Sequence, residues 1–327
     1  MSQSNITTLD ILIPCHNRAK DIEKLINHLY KMQCPSNIKF EIHVIDDLSS
    51  DNSVEIIKKL QNEHQSLFLI KNKENKGLFL NRIILTTNIN ADFIFFMDDD
   101  DEVEDNLFLE FSKYTDYDLI RTIRKFVTNG NAKIYYELVY PQIKSTADMI
   151  NLMPSFFITG IFISKYVYTK MFIALEKLRL NFLNLNVYED QPYFYLMANF
   201  ARNFKFIKSY YFYLFNPNGL IQSSNFKKIA VDSLRIWDIL NKLIVQLKEN
   251  NSYHITADSM LFELWHLAWI ANSEKADLKF LYQQFKKINF KNIPNLNLKT
   301  KIKIFLLKHY LTFYLITCFV KPILKMR

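Results

Sequence analysis

Glycine is scarce in this chain of 327 residues: there are four. No glycine-rich phosphate loop is visible near the N-terminus, which argues against a nucleotidyltransferase. Cysteine is nearly absent too. Cys15, Cys34 and Cys318 are odd in number and form no CxxC pair, so neither a disulfide framework nor a zinc site is expected from them, and a reducing compartment is. Long apolar runs are also missing. The longest one, Tyr310 to Val320, covers 11 residues, whereas a spanning helix needs about 20. Met1 to Asp10 is polar and leads straight into Ile11-Leu12-Ile13; with no basic region and apolar core for an export signal, the body is expected in the cytosol. The chain has no internal repeat, no low-complexity linker and no nucleic-acid recognition motif.

What the chain does have is 49% apolar residues, 15% aromatics and 23% charged residues, the composition of an ordinary packed protein. At about 150 residues per domain its length suits two structural units, or one large α/β unit with an appendage. The net charge is +8, and Lys299 to Arg327 holds six lysines, one arginine and no acid. That segment therefore accounts for +7, leaving +1 for the rest. Basic residues set among Leu, Ile, Phe and Tyr point to an in-plane helix on an anionic membrane surface, with a last core helix as the competing reading.

From Asp10 to Asp101 short apolar runs alternate with helical patterns. Strands are expected at Ile11 to Ile13, Phe40 to Ile45, Phe68 to Ile70 and Phe93 to Met97, and helices near 19–32, 53–61 and 78–88. Such βαβ texture gives a mostly parallel sheet buried on both faces. Polar clusters follow the strands: Asn17-Arg18, then Asp46 to Asp51, then Asp98 to Asp101. In an open parallel sheet that is where ligands bind. From Leu107 to about Asn225 the pattern is mixed, with strand-like pieces near 119–126, 133–139 and 210–214, and beyond Phe226 three helical patterns appear, at 227–249, 256–271 and 274–288.

Four consecutive aspartates directly after Phe93-Ile-Phe-Phe-Met97 would repel one another without a cation, and a hard divalent ion held by one or two carboxylates plus substrate phosphates fits them. An isolated acidic run is more often a solvated turn or the acidic start of a helix from Glu102. Here its register with two other Asp-rich strand ends favours the metal. Farther on, Glu189-Asp190 precedes Pro192. This pair offers a carboxylate as general base, or caps a helix starting near Pro192, and both can hold at once.

These segments carry a resemblance. Ile11-Leu-Ile-Pro-Cys-His-Asn-Arg18, Val44-Ile-Asp-Asp-Leu-Ser-Ser-Asp51, Asn75-Lys-Gly-Leu-Phe-Leu-Asn-Arg82, Phe95-Phe-Met-Asp98-Asp-Asp-Asp101 and, more weakly, Tyr188-Glu-Asp-Gln-Pro-Tyr-Phe194 occur in the order of family 2 glycosyltransferases. The chain resembles these inverting enzymes of the GT-A nucleotide-sugar fold over about 9–225. Leu48 stands where the family usually has glycine, and Asp105 where it usually has proline.

The resemblance implies an α/β fold of GT-A type with a helical C-terminal extension. Its catalytic domain would span 1–225, with a nucleotide-binding half at about 9–105 and an acceptor half at about 106–225, followed by a helical extension at 226–298 and the basic tail at 299–327. It also implies roles. Pro14 and Asn17 would line the nucleotide pocket, Asp47 would meet the base, Asp98 would lie near the ribose and Asp100 on Mn2+ or Mg2+, with Asp98 completing the DxD pair. Arg82 would reach the diphosphate, although an arginine on an amphipathic helix is more often solvated or salt-bridged. Asp190 would be the base, with Glu189 as the fallback.

The implied reaction moves a sugar from a nucleotide donor, UDP-linked by family tendency, to a hydroxyl of a surface glycan or lipid-linked glycan acceptor. It would run on the cytoplasmic side of the cell membrane, with the enzyme peripheral on its inner face and no nucleic acid as partner. The alternatives are a non-catalytic sugar-nucleotide-binding subunit of a polysaccharide assembly complex, or a nucleotidyltransferase, which would want the missing glycine-rich loop.

Overall fold

The structure is a computed structural model that describes residues 6–87, 89–128, 131–134, 157–178, 185, 189–214, 226–247 and 283. The chain divides into two compact units, Met1–Gly219 and Leu220–Arg327; the sequence places the change of texture at 225.

In the first unit the alternation begins with β1 (Thr7–Cys15), α1 (Ala19–Lys31), β2 (Ile38–Asp46), α2 (Ser53–Glu63), β3 (Leu67–Lys71), α3 (Leu78–Leu85) and β4 (Phe93–Phe96). The last seven residues of β1 and all of β4 are buried, as strands covered on both faces must be. In α1 the buried Ile22, Leu25, Ile26 and Leu29 follow helical spacing and turn one stripe to the sheet. β3, β2, β1 and β4 pair in that order, all parallel.

Beyond β4 the sheet becomes mixed. β5 (Glu102–Val103), α4 (Leu107–Phe111), β6 (Leu119–Thr128), β7 (Asn131–Ile134), β8 (Ile161–Ser164), α5 (Lys165–Lys177), α6 (Asp190–Phe200) and β9 (Phe204–Leu214) complete it. The strand order is β3-β2-β1-β4-β8-β6-β9-β5, with β7 hairpinned onto β6. β8 runs antiparallel between β4 and β6, and β9 lies parallel to β6.

The strands expected at 119–126 and 210–214 lie within β6 and β9, and the piece at 133–139 overlaps β7, whose continuation lies outside the described residues. A helix starting at Glu102 does not form. Glu102 and Val103 pair instead with Phe212 and Tyr211 of β9, so α4 starts only at Leu107.

The core is aromatic-rich where β4 meets β8 and α4: Phe95 lies 4.4 Å from Phe162, and Phe111 lies 4.2 Å from Phe162 and 5.1 Å from Phe93. Losing one such ring costs about 3–5 kcal/mol, enough to fix β8 in place. Gly160, just before β8, has φ +78°, and a Cβ there would sit 2.8 Å from Thr122 Oγ1 and 3.1 Å from the Tyr211 ring. Only glycine lets this turn pass so close to β6 and β9.

In the second unit α7 (Phe226–Leu247) buries Ile236, Ile239, Leu240, Leu243 and Ile244, and Lys228–Asp232 and Asp238–Lys242 ion pairs at i,i+4 support it. The helices expected at 256–271 and 274–288 and the basic tail lie outside the described residues, Gln283 apart. Among the described residues no helix is long and apolar enough to cross a membrane.

Candidate functional site: a carboxylate cluster at the strand ends

β1, β2 and β4 end side by side, and their turns are sewn together by side chains. Asn17 adopts φ +54°, a conformation asparagine tolerates. Its backbone N–H donates to Ser49 Oγ at 2.9 Å, and its Oδ1 accepts from the Ser50 N–H at 2.7 Å. Leu48 lies in the same left-handed region, at φ +65°, and is 50% exposed; the turn keeps the geometry that glycine would adopt, at the cost of strain on a Cβ residue. Asp51 accepts from the N–H of Ala19 at the start of α1 and from Ser53 at the start of α2, fastening both helix N-termini.

Asp47 is buried, and both its carboxylate oxygens are committed. Oδ1 accepts from Asn72 Nδ2 and the Lys76 N–H at 2.8 Å, and Oδ2 from the Gly77 N–H at 2.9 Å. It thereby fixes the segment that leads into α3, which begins after Gly77 at φ +79°. Pro14 is buried within β1, one residue before Cys15, whose thiol is held protonated by burial and by the neighbouring Asp99 charge.

The run Asp98 to Asp101 fans out to different partners. Asp98 faces Arg82, with Nη2 2.9 Å from Oδ1. Asp99 accepts from the His16 N–H at 3.1 Å and lies 3.8 Å from Arg18 Nε, while Asp100 lies 3.4 Å from Arg18 Nη2. Asp101 is buried against β9, accepting from the Tyr211 hydroxyl at 2.7 Å and the Leu214 N–H at 3.0 Å. Burial, reinforced by adjacent carboxylates, pushes Asp99 and Asp101 well above the usual carboxylate range.

Arg82 is the hub. Only 1% of its side chain is exposed, so it is neither solvated nor directed at an open crevice. One guanidinium nitrogen reaches Asp98; the other donates to Glu189 Oε1 at 2.8 Å and to Asp190 Oδ1 at 2.6 Å. Burial alone would lower its pKa, but these three carboxylates more than reverse that and keep it charged. Glu189 occupies the N-cap position of α6 without making a side-chain cap; its carboxylate goes to Arg82 instead. Burial, with the Asp190 charge beside it, pushes Glu189 from the ordinary 4.5 up to about 8. Asp190 is raised as well, chiefly by burial, against the pull of Arg82.

The named residues are thus not one pocket lining. Arg82, Asp98, Glu189 and Asp190 form one hydrogen-bonded cluster, with Asp99 and Asp100 reaching back to the first turn. Asn17 and Asp47 hold the turns and the lead-in to α3. Arg18 and Tyr211 belong to the site although the motifs alone do not single them out. Tyr211 accepts from the Asp98 N–H at 3.2 Å as it donates to Asp101.

A mixed sheet whose parallel half ends in carboxylate-bearing turns is an α/β architecture of GT-A type. Residues 10–141 match the model for glycosyl transferase family 2. An uncharacterized glycosyltransferase of Mycoplasma genitalium, MG060, is 27% identical over 267 residues, which is 77% of this chain and 82% of that protein. The poly(ribitol-phosphate) beta-N-acetylglucosaminyltransferase TarS of Staphylococcus aureus is 28% identical over 93 residues, 28% of this chain and 16% of TarS. A crystal structure of S. aureus TarS 1–349 in complex with UDP-GlcNAc aligns with a TM-score of 0.68 at 18% identity, covering 88% of this chain and 82% of that one; at that identity the likeness is one of fold.

Proposed function

We propose that this protein is an inverting glycosyltransferase that uses a UDP-sugar, with Asp190 as the general base. The observation that carries the reading is the position of Arg82, which draws Asp98 from the donor-side strand and Asp190 from α6 onto one guanidinium, at 2.9 and 2.6 Å. Donor motif and base candidate thereby sit within one cluster. In the reaction the acceptor O–H gives its proton to the Asp190 carboxylate, and the acceptor oxygen bonds to the anomeric carbon. The bond from that carbon to the diphosphate oxygen breaks on the opposite face, and its electron pair leaves with the nucleotide. Burial raises both Glu189 and Asp190 above the usual carboxylate range, which suits a carboxylate that takes up a proton during the reaction.

Asp98 and Asp100 would hold a divalent ion. Their side chains are 26% and 21% exposed, hard oxygen donors in a cluster with more carboxylates than cations, which fits an ion that takes its remaining ligands from phosphate and water. When bound, Mg2+ or Mn2+ would neutralise charge on the leaving diphosphate. Asn17 belongs to the first turn and Pro14 to the end of β1 that leads into it, beside that donor site, and Asp47 acts on it through the 72–77 segment.

UDP-GlcNAc, the donor bound to TarS in the aligned structure, is the first to test. The acceptor we infer is a hydroxyl of a surface glycan or lipid-linked glycan, approached from the cytoplasmic face of the membrane through the basic tail. The deciding experiment is a panel of nucleotide sugars assayed for manganese-dependent donor hydrolysis. One hydrolysed UDP-sugar supports the reading; no turnover of any donor, with the fold intact, favours a non-catalytic role.

A further inference from the structure

A second set of ionisable groups lies away from that cluster. Asp10 of β1 is in register with Glu41 of β2, and His43 follows two residues later on the same strand. Alternation along the strands places Leu9, Ile11 and Ile13 with Ile42 and Val44 in the main core, which puts Asp10, Glu41 and His43 together on the other face. One ligand atom from each of the three lies within 4.8 Å of the others.

The arrangement leaves a buried ring nitrogen unsatisfied. His43 Nε2 is 3.7 Å from Asp10 Oδ2 and 3.6 Å from Glu41 Oε2, too far for hydrogen bonds. Nε2 is itself enclosed and has no hydrogen-bond partner. The Asp10 side chain is only 9% exposed, and its one charged neighbour within salt-bridge distance among the described residues is His43. A carboxylate buried in this way is strongly unfavourable unless it is paired or bound to a cation.

Two ligand atoms on a tetrahedral zinc ion lie about 3.4 Å apart, given bonds of about 2.1 Å. The observed 3.6 and 3.7 Å separations need to close by only a few tenths of an ångström. One imidazole nitrogen and two carboxylate oxygens suit zinc better than magnesium or calcium, which prefer oxygen alone. The His43 ring is stacked on Phe68 of β3 at 4.9 Å, which fixes its plane. Glu41, with 36% of its side chain exposed, opens the position to solvent.

We propose that Asp10, Glu41 and His43 form a zinc-class metal site that cross-links β1 and β2. It is separate from the donor site. His43 lies three residues before the end of β2 and Asp10 five before the end of β1, or about 10 and 16 Å at about 3.3 Å per residue. An ion there would clamp the two strands that carry the first two turns of the donor crevice.

The test uses the full chain carrying Asp100→Asn, which silences the ion site of the proposed reaction, so that the two readings fail separately. Zinc calorimetry should show one ion bound, Co2+ should give visible bands of a low-symmetry site, and zinc should raise the melting temperature. Adding His43→Ala should weaken zinc binding by about 100-fold, at least the scale of disturbing a ligand's support. Glu41→Gln, at a half-exposed position that leaves packing intact, should weaken it too. Zinc affinity unchanged in both variants, or no zinc binding by a folded Asp100→Asn chain, overturns the proposal. Donor hydrolysis with manganese by His43→Ala in the otherwise native chain reports independently on the transferase reading.

Discussion

Replacing Arg82 by methionine tests the cluster most severely. The substitution keeps much of the side-chain volume but removes a guanidinium that is 1% exposed and bonded to Asp98, Glu189 and Asp190 at 2.6–2.9 Å. Three carboxylates would then face one another with no counter-charge. Breaking a buried ion pair by deleting one partner costs about 3–5 kcal/mol. For a unit of 150–250 residues each kcal/mol moves the melting temperature by about 2–4 °C, so Arg82→Met should melt about 6–20 °C below the native chain.

The deficit should depend on pH. Burial raises Glu189 and Asp190 even with Arg82 present, so lowering the pH protonates the cluster in both proteins and shrinks the difference. Arg82→Lys keeps the charge but loses the planar fork, and should fall between the two. Melting curves recorded across pH decide the matter. An Arg82→Met chain that melts with the native one at neutral pH, or a deficit that does not shrink on acidification, would refute the view of Arg82 as the counter-charge of the site.

Other outcomes follow from the same geometry. Asp100→Asn should abolish manganese-dependent binding of UDP-GlcNAc in calorimetry while leaving the melting curve in place; unchanged affinity removes Asp100 from the ion site. Because Glu189 is raised from 4.5 to about 8, the native chain binds this proton more tightly than the unfolded one, and the associated stability, fully present below 4.5, is lost as pH rises to about 8. Glu189→Gln should flatten that decline, and an unaltered profile would contradict the assignment. Leu48→Gly should be neutral or stabilising by up to about 1 kcal/mol, since relief of a left-handed leucine outweighs the added chain entropy; a loss larger than that in urea unfolding counts against strain at φ +65°. Removing 299–327 should release the chain from anionic vesicles and spare donor hydrolysis, whereas unfolding on truncation would mark the tail as a core helix.

Much of this arrangement was legible in the sequence, and the limits have physical causes. The parallel half was readable because β1 and β4 are buried on both faces and carry the apolar runs Ile11 to Ile13 and Phe93 to Met97, while β2 ends in the buried Val44-Ile45, each followed by a polar cluster. β8 was not. Its four residues, Ile161 to Ser164, carry no periodicity, and its antiparallel course depends on Phe162 meeting Phe95 and Phe111, rings distant in sequence. The four aspartates read as one charge cluster awaiting a metal. Their individual ties, to Arg82, to the His16 N–H and Arg18, and to Tyr211, were not legible, because such partners are set by the tertiary fold alone. Arg82 did leave a trace, since Phe79, Arg82 and Leu85 share one buried stripe of α3, and a charge on an apolar stripe signals a buried ionic partner. The acidic pair before Pro192 suggested a cap; Glu189 holds the cap position, but its side chain is spent on Arg82.

The most direct measurement compares Asp190→Asn with the native chain in manganese, reading UDP-sugar affinity by calorimetry and sugar transfer by product formation. With Asp190 as the base, affinity is retained and transfer falls by about 10²-fold or more. Transfer at the native rate in Asp190→Asn, with Glu189→Gln the inactive variant instead, would contradict the assignment.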